Sequence, residues 1–138
     1  MKWTTLVAVD ELANALGNET LRLVDARFAL MDPHAGRLGY DQGHLPGAAY
    51  AHLNLDLSDL ARQGEGRHPL PDGNAFVSKL SEWRIAPHHQ VVVYDASDGS
   101  MAAARLWWML KLLGHQRVAV LDGGLAAWRA RGLPESAE

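Results

Sequence analysis

The sequence predicts one three-layer α/β domain with a central parallel sheet, and three observations carry that expectation. Val91-Val92-Val93-Tyr94 is apolar at every position, the pattern of a strand buried on both faces. Short strand-type runs alternate with helical patterns, and their short connections call for right-handed crossovers and a parallel sheet covered on both sides. The length, 138 residues, suits a single domain.

In chain order, Leu6–Val9 is a short first strand, and Asp10 is an N-cap for a helix over Glu11–Leu16 that stops at Gly17. Leu21–Val24 is a strand ending at Asp25. Residues 28–37, with Asp32-Pro33 and Gly36, read as a loop before a helical turn at Leu38–Gln42. A strand at Ala48–Ala51 follows Gly43, Pro46 and Gly47. Residues 54–71 are mostly loop. Asp72 caps a helix whose apolar positions Phe76, Val77, Leu80 and Trp83 recur at helical spacing. After the Val91–Tyr94 strand, the loop Asp95–Ser100 leads into a helix over Met101–Leu113. That helix is apolar nearly all round, which predicts deep packing. Gly114 ends it. Val118–Leu121 is the last strand and Leu125–Arg131 the last helix, stopped by Gly132 and Pro134.

Composition narrows the function. With 48% apolar and 21% charged residues the chain has the content of a folded domain. A net charge of −3 without a long Lys/Arg block argues against nucleic acid or an anionic membrane as partner. The longest apolar run, Leu106–Leu110, is far below the ~20 residues that span a bilayer, and the patch at Leu6–Val9 is too brief for a signal sequence. A cytoplasmic protein is expected. There is no cysteine, which removes disulfides, thiolate zinc, iron–sulfur clusters and thiol catalysis together.

Chemistry belongs beyond the carboxyl ends of the strands, and the best place is the loop after Val91–Tyr94. A loop entering a helix N-terminus offers unpaired N–H groups and a positive dipole end to anions. Here it reads Asp95-Ala96-Ser97-Asp98-Gly99-Ser100, with two carboxylates and no cation, so the cradle is expected to be self-filled. No His spacing suits a metal, and neither a metal nor a cofactor is expected. His44 is expected to bond local backbone. His88 and His89, being adjacent, are expected to point apart. Trp107, Trp108 and Trp128 are expected in the core, with room for one to face a partner domain. Arg105 is expected to be buried and paired with Asp25 or Asp122, and Arg27 has a similar prospect. An Asp after a hydrophobic strand also suggests a phosphoaspartate enzyme with Mg²⁺. The second Asp, Asp98, falls three residues on rather than two, and the match is poor.

Six pieces in order resemble rhodanese-type sulfurtransferases: Asp25-Ala26-Arg27, Gly43–Ala48, Gly66–Asp72, Val91–Asp95, Arg105–Trp108 and Leu121–Trp128. More narrowly, they resemble the N-terminal domain of two-domain thiosulfate and 3-mercaptopyruvate sulfurtransferases. The resemblance implies a rhodanese-like α/β/α domain over residues 1–134, lacking the catalytic Cys, with 135–138 beginning an interdomain linker. In active domains of the family a Cys opens the loop after the central strand and carries the sulfane sulfur as a persulfide. Asp95 stands in that place here. A carboxylate forms no persulfide, so the chain alone is expected to be inactive. The implied partner is a second, Cys-bearing rhodanese domain of the same polypeptide, with small sulfur donors and a cyanide or thiol acceptor. His68 matches a family His proposed to serve acid–base chemistry at the second domain's Cys, and Arg67 is placed to hold an anionic donor. Asn54 stands where the family has an acidic partner for that His, so a strict triad is not met. The other reading is a stand-alone, Cys-less binding or regulatory module.

Overall fold

The computed structural model describes residues 1–29, 31–62, 64, 69–96 and 102–138. Its elements are β1 (Leu6–Val7), α1 (Val9–Ala15), β2 (Leu21–Asp25), α2 (Ala35–Gln42), β3 (Ala49–Tyr50), α3 (Gly73–Glu82), β4 (Gln90–Tyr94), α4 (Ala102–Leu112), β5 (Val118–Leu121) and α5 (Gly124–Ala130). The strands form one sheet in the order β1-β5-β4-β2-β3, and every pair in it is parallel. β4 lies at the centre, paired with β2 from Leu21↔Gln90 to Asp25↔Tyr94.

The period of two along β4 builds the two cores. Val91 and Val93 face a layer made by Phe76 of α3 and by Ala103, Leu106, Met109 and Leu110 of α4. Val92 and Tyr94 face the opposite layer, made by Val9 and Leu12 of α1 and by Leu125 and Trp128 of α5. All five residues of β4 are buried, as a strand covered on both faces requires. Each buried valine in it contributes ~1.5–3 kcal/mol relative to an exposed one.

Several local expectations are corrected. α1 starts at Val9, so Asp10 sits in the first turn rather than at the cap, where its charge still favours the positive helix end. Gly17 does close that helix, with φ +89 just beyond the C-cap Leu16. α2 begins at Ala35, three residues before the expected turn. Gly36 makes this possible: a Cβ there would overlap the Arg27 carbonyl oxygen and the Tyr50 hydroxyl, so only glycine lets the helix lie this close to the strand ends. The third strand shrinks to Ala49–Tyr50. Asp72 occupies the N-cap of α3, but its side chain makes no capping hydrogen bond. α4 is not packed all round: Trp108 is 46% exposed, and Leu112 and Leu113 also face outward. An outer-layer helix has one neighbouring sheet, and the side turned from it stays in water whatever its residues are. Of the three tryptophans, Trp128 is fully buried and Trp107 is half-buried, donating its indole N–H to the Thr4 and Val118 carbonyls. The rings of His88 and His89 do not diverge; their centroids lie 4.1 Å apart.

Candidate functional site

The connection after β2 carries the chain to β3 on one side of the sheet, whereas that after β4 carries it to β5 on the other. The carboxyl ends of β2 and β4 therefore flank a crevice, the place where open α/β sheets bind ligands. Asp25 ends β2 and is fully buried. Arg27 Nε donates to both its carboxylate oxygens, at 3.1 and 2.9 Å, and Nη2 meets Oδ2 at 2.8 Å. The same guanidinium donates to the Gly43 carbonyl at 2.7 Å, and Tyr50 donates its hydroxyl to the Arg27 carbonyl at 2.7 Å. Burial, and then the charge of Asp25, pushes the Tyr50 phenol up to about 12. The same two causes, in the same order, push Tyr94 up further. Both tyrosines are thus neutral hydrogen-bonding groups at any physiological pH.

Asp95 follows β4 and is 7% exposed. Its Oδ2 accepts the Ala103 N–H at the start of α4, at 3.4 Å. Its own carbonyl accepts the Leu125 N–H of α5 at 3.0 Å, and the Ala96 carbonyl accepts the Ala126 N–H at 3.2 Å. The first two residues of this loop thus supply acceptors to the N-termini of two helices, whose orphan N–H groups need partners. Chemically, this carboxylate stabilises a helix end by charge and hydrogen bonding, and it is a poor nucleophile toward sulfur.

A second group of residues sits beside the edge strand β3. An open cleft of ≈ 660 Å³ is walled by Pro33, His34 and Arg37 at the start of α2, by Tyr50, His52 and Asn54, and by Lys79 and Trp83 of α3. The turn after β3 is closed at both ends: His52 N–H donates to Asp56 Oδ2 at 2.8 Å, and Asp56 N–H donates to the His52 carbonyl at 2.8 Å. Lys79 pairs with Asp56 at 3.2 Å, and its hydrogen bond to Asp56 pushes the Lys79 ammonium pKa up. Further contacts join this turn and the residues just after it to their surroundings. Arg105 of α4 donates to the Leu57 carbonyl at 3.0 Å, and Asp59 N–H donates to the Pro69 carbonyl at 2.8 Å. Burial pulls Arg105 below the ordinary arginine value.

Comparison with known proteins decides the family. The model of the rhodanese-like domain matches residues 8–131. The chain belongs to the rhodanese-like domain family. A Pseudomonas aeruginosa protein named "Probable 3-mercaptopyruvate sulfurtransferase" is 46% identical over 135 residues, 96% of this chain and 47% of that protein. The Arabidopsis thaliana "Thiosulfate/3-mercaptopyruvate sulfurtransferase 2" is 39% identical over 129 residues, 92% of this chain and 36% of that protein. Among solved structures, the 3-mercaptopyruvate sulfurtransferase from Leishmania major superposes with a TM-score of 0.89 at 32% identity, over 97% of this chain and 36% of that one. The chain thus spans about half the length, or less, of the curated relatives it matches. The five-stranded parallel sheet and its helices are the rhodanese α/β fold.

Within this rhodanese-like domain the expected site residues are placed unevenly. Asp95 and Ala96 stand at the end of the central strand, and Asn54 walls the cleft beside β3. His68, Arg67, Ser97, Asp98, Gly99 and Ser100 lie outside the described residues. Pro69, next in sequence to His68, is held to Asp59 of the segment that carries Asn54. Asp25 takes Arg27 as its partner, two residues on, rather than Arg105, whose described bond goes to the Leu57 carbonyl. His44 bonds local backbone, its Nδ1–H donating to the Tyr40 carbonyl at 2.7 Å. Sequence reasoning missed His52. Its signal was a polar residue two positions before Asn54 in a turn, where a side-chain acceptor can close the backbone. Among the described residues no cluster of three or more His, Asp or Glu is placed to hold a metal, and no helix is long and apolar enough to cross a membrane.

Proposed function

We propose that this chain is the non-catalytic N-terminal domain of a two-domain thiosulfate/3-mercaptopyruvate sulfurtransferase. In the complete enzyme a Cys of a second rhodanese domain takes a sulfane sulfur as a persulfide and passes it to cyanide or a thiol. With thiosulfate, the thiolate attacks the outer sulfur, the S–S bond breaks, and sulfite leaves with the bonding electron pair. Attack by cyanide on the persulfide's outer sulfur then releases thiocyanate and restores the thiolate. The role assigned to the present chain is support: it covers the second domain's cleft and lends His68, Arg67 and Asn54 to the donor and to proton movement. The cytoplasm, where thiol acceptors stay reduced, suits this chemistry.

The observation that carries the reading is the bond between the Asp95 carboxylate, at the end of the central strand, and the Ala103 N–H of α4, in the place where the resemblance puts the family's nucleophile. That carboxylate occupies the helix end at which an active domain would present its thiolate. The chain's span of about half of relatives named for this activity supports the two-domain arrangement. The test is a thiosulfate-to-cyanide and 3-mercaptopyruvate-to-thiol assay of the isolated chain, alone and mixed with a separately expressed Cys-bearing domain. No turnover alone and stimulated turnover in the mixture are expected. Turnover by the isolated chain overturns the reading. A mixture no faster than the Cys-bearing domain alone favours a stand-alone binding module.

A further inference from the structure

The imidazole of His52 is buried and bonded on both nitrogens. Nε2 lies 2.9 Å from the Pro33 carbonyl oxygen, which can only accept, so Nε2 carries the proton. Nδ1 accepts two backbone N–H groups, from Asn54 at 3.1 Å and Leu55 at 3.2 Å. Both observations demand the same neutral tautomer. The ring also meets Phe28 edge-on, with centroids 5.4 Å apart, and lies 6.2 Å from the Tyr50 ring. One side chain therefore joins the loop before α2, the end of the edge strand and the turn bearing Asn54. The charged and titratable groups around this cleft are His34 and Arg37 at the start of α2, Tyr50 of β3, Asp56 of the turn itself, and Lys79 and Glu82 of α3.

We propose that His52 is a positioning residue: its neutral ring fixes the 52–57 turn and so sets where Asn54 stands in the cleft. The role of Asn54 in sulfur transfer rests on the function proposed above; the clamp itself does not. Two amide hydrogens converging on one ring nitrogen hold the backbone at both Asn54 and Leu55. The Nε2–H bond to Pro33 then prevents the ring from swinging out. Fixing the backbone at Asn54 limits where its side-chain amide reaches, and small displacements of a group that orients a reacting partner cost rate rather than affinity.

Two substitutions test this. His52→Phe keeps a ring against Phe28 and Tyr50 but removes the acceptor and the donor. His52→Asn loses the reach to Pro33 but keeps a side-chain oxygen that can accept the amide two residues on, as in an Asx turn. In His52→Phe, hydrogen-exchange protection of the Asn54 and Leu55 amides is expected to fall about tenfold, with protection in β4 unchanged, and His52→Asn should restore most of it at Asn54. In the two-domain enzyme, His52→Phe should lower kcat about tenfold with little change in KM for the donor, and His52→Asn should recover it. Wild-type protection at both amides in a folded His52→Phe chain overturns the proposal. So does a His52→Phe variant impaired in KM alone. If His52→Phe does not fold, His52→Asn still decides: wild-type protection of the Leu55 amide, which has lost its ring acceptor, refutes the clamp. A wild-type two-domain protein without activity would sink the sulfurtransferase reading and leave the exchange result standing.

Discussion

Arg27 folds back over Asp25, two residues earlier in the chain, and meets its carboxylate at 2.8 Å with both side chains hidden from water. The same guanidinium reaches the Gly43 carbonyl. One arginine therefore neutralises a charge at the end of β2 and anchors the Gly43-His44-Leu45-Pro46-Gly47 loop that precedes β3.

Removing the cation alone should be severe. Arg27→Ala leaves an ionised carboxylate buried without a partner and is expected to lower unfolding free energy by ~3–5 kcal/mol in denaturant titrations. The double change Asp25→Leu with Arg27→Met should cost clearly less. Equal losses in the single and double variants would refute the pairing.

Asp95 should matter to stability and not to turnover. Asp95→Ala deletes the acceptor for the Ala103 N–H at the start of α4, a capping loss of ~0.5–2 kcal/mol. Thermal unfolding should register a fall of a few degrees. Sulfur transfer by the proposed two-domain protein should persist at wild-type rate, and a large fall in kcat at unchanged stability would give Asp95 a chemical role.

Acid should loosen the end of the domain that carries His89. Burial, followed by the charge of Arg22 and the neighbouring His88 and His115, holds His89 below the ordinary histidine value. Between the folded and the higher unfolded pKa, the unfolded chain binds more protons, so stability rises with pH there. The His89 contribution is therefore complete above the unfolded value of about 6.5 and is lost as pH falls through the lower folded value. Glu135, whose hydrogen bond with Arg129 holds its carboxyl below the usual range, adds a similar loss at more acid pH. Melting temperature should decline from pH 7 to pH 5, and more shallowly in His89→Gln. A parallel decline in the variant would remove His89 as a cause.

His68 is tested by kinetics. In the two-domain enzyme proposed above, His68→Ala should reduce donor turnover by ~10²-fold or more, the scale of an acid–base group, while the melting temperature holds. Unchanged kinetics would make His68 an ordinary loop residue.

Much of the fold was legible because local rules sufficed. Val118–Leu121 was recovered to the residue, and the central strand to within one, since unbroken apolar β-branched runs have one good home between two helical layers. Helix starts were less legible. Asp10 looked like a cap, yet the main-chain bond from the Leu12 N–H to the Ala8 carbonyl sets the start two residues earlier. α2 was foreshortened because Gly36 reads as a loop signal, while its actual use is close approach to Arg27 and Tyr50. In the candidate site, the Asp that follows the central strand and the lack of any Cys were visible from residue type alone. The bond that commits its carboxylate to α4 was not.

Residue order alone carried the resemblance to rhodanese-type sulfurtransferases, the parallel sheet and the absence of any thiol from this chain. All three depend on residue identity and on periodicity along the chain, which act locally. Packing in three dimensions was needed to set Asp25 against Arg27, to turn Trp108 outward, and to bring the His52 ring onto the turn carrying Asn54. Those choices depend on which strand ends and helix faces come within about 3 Å of each other in three dimensions, the range over which a hydrogen bond forms.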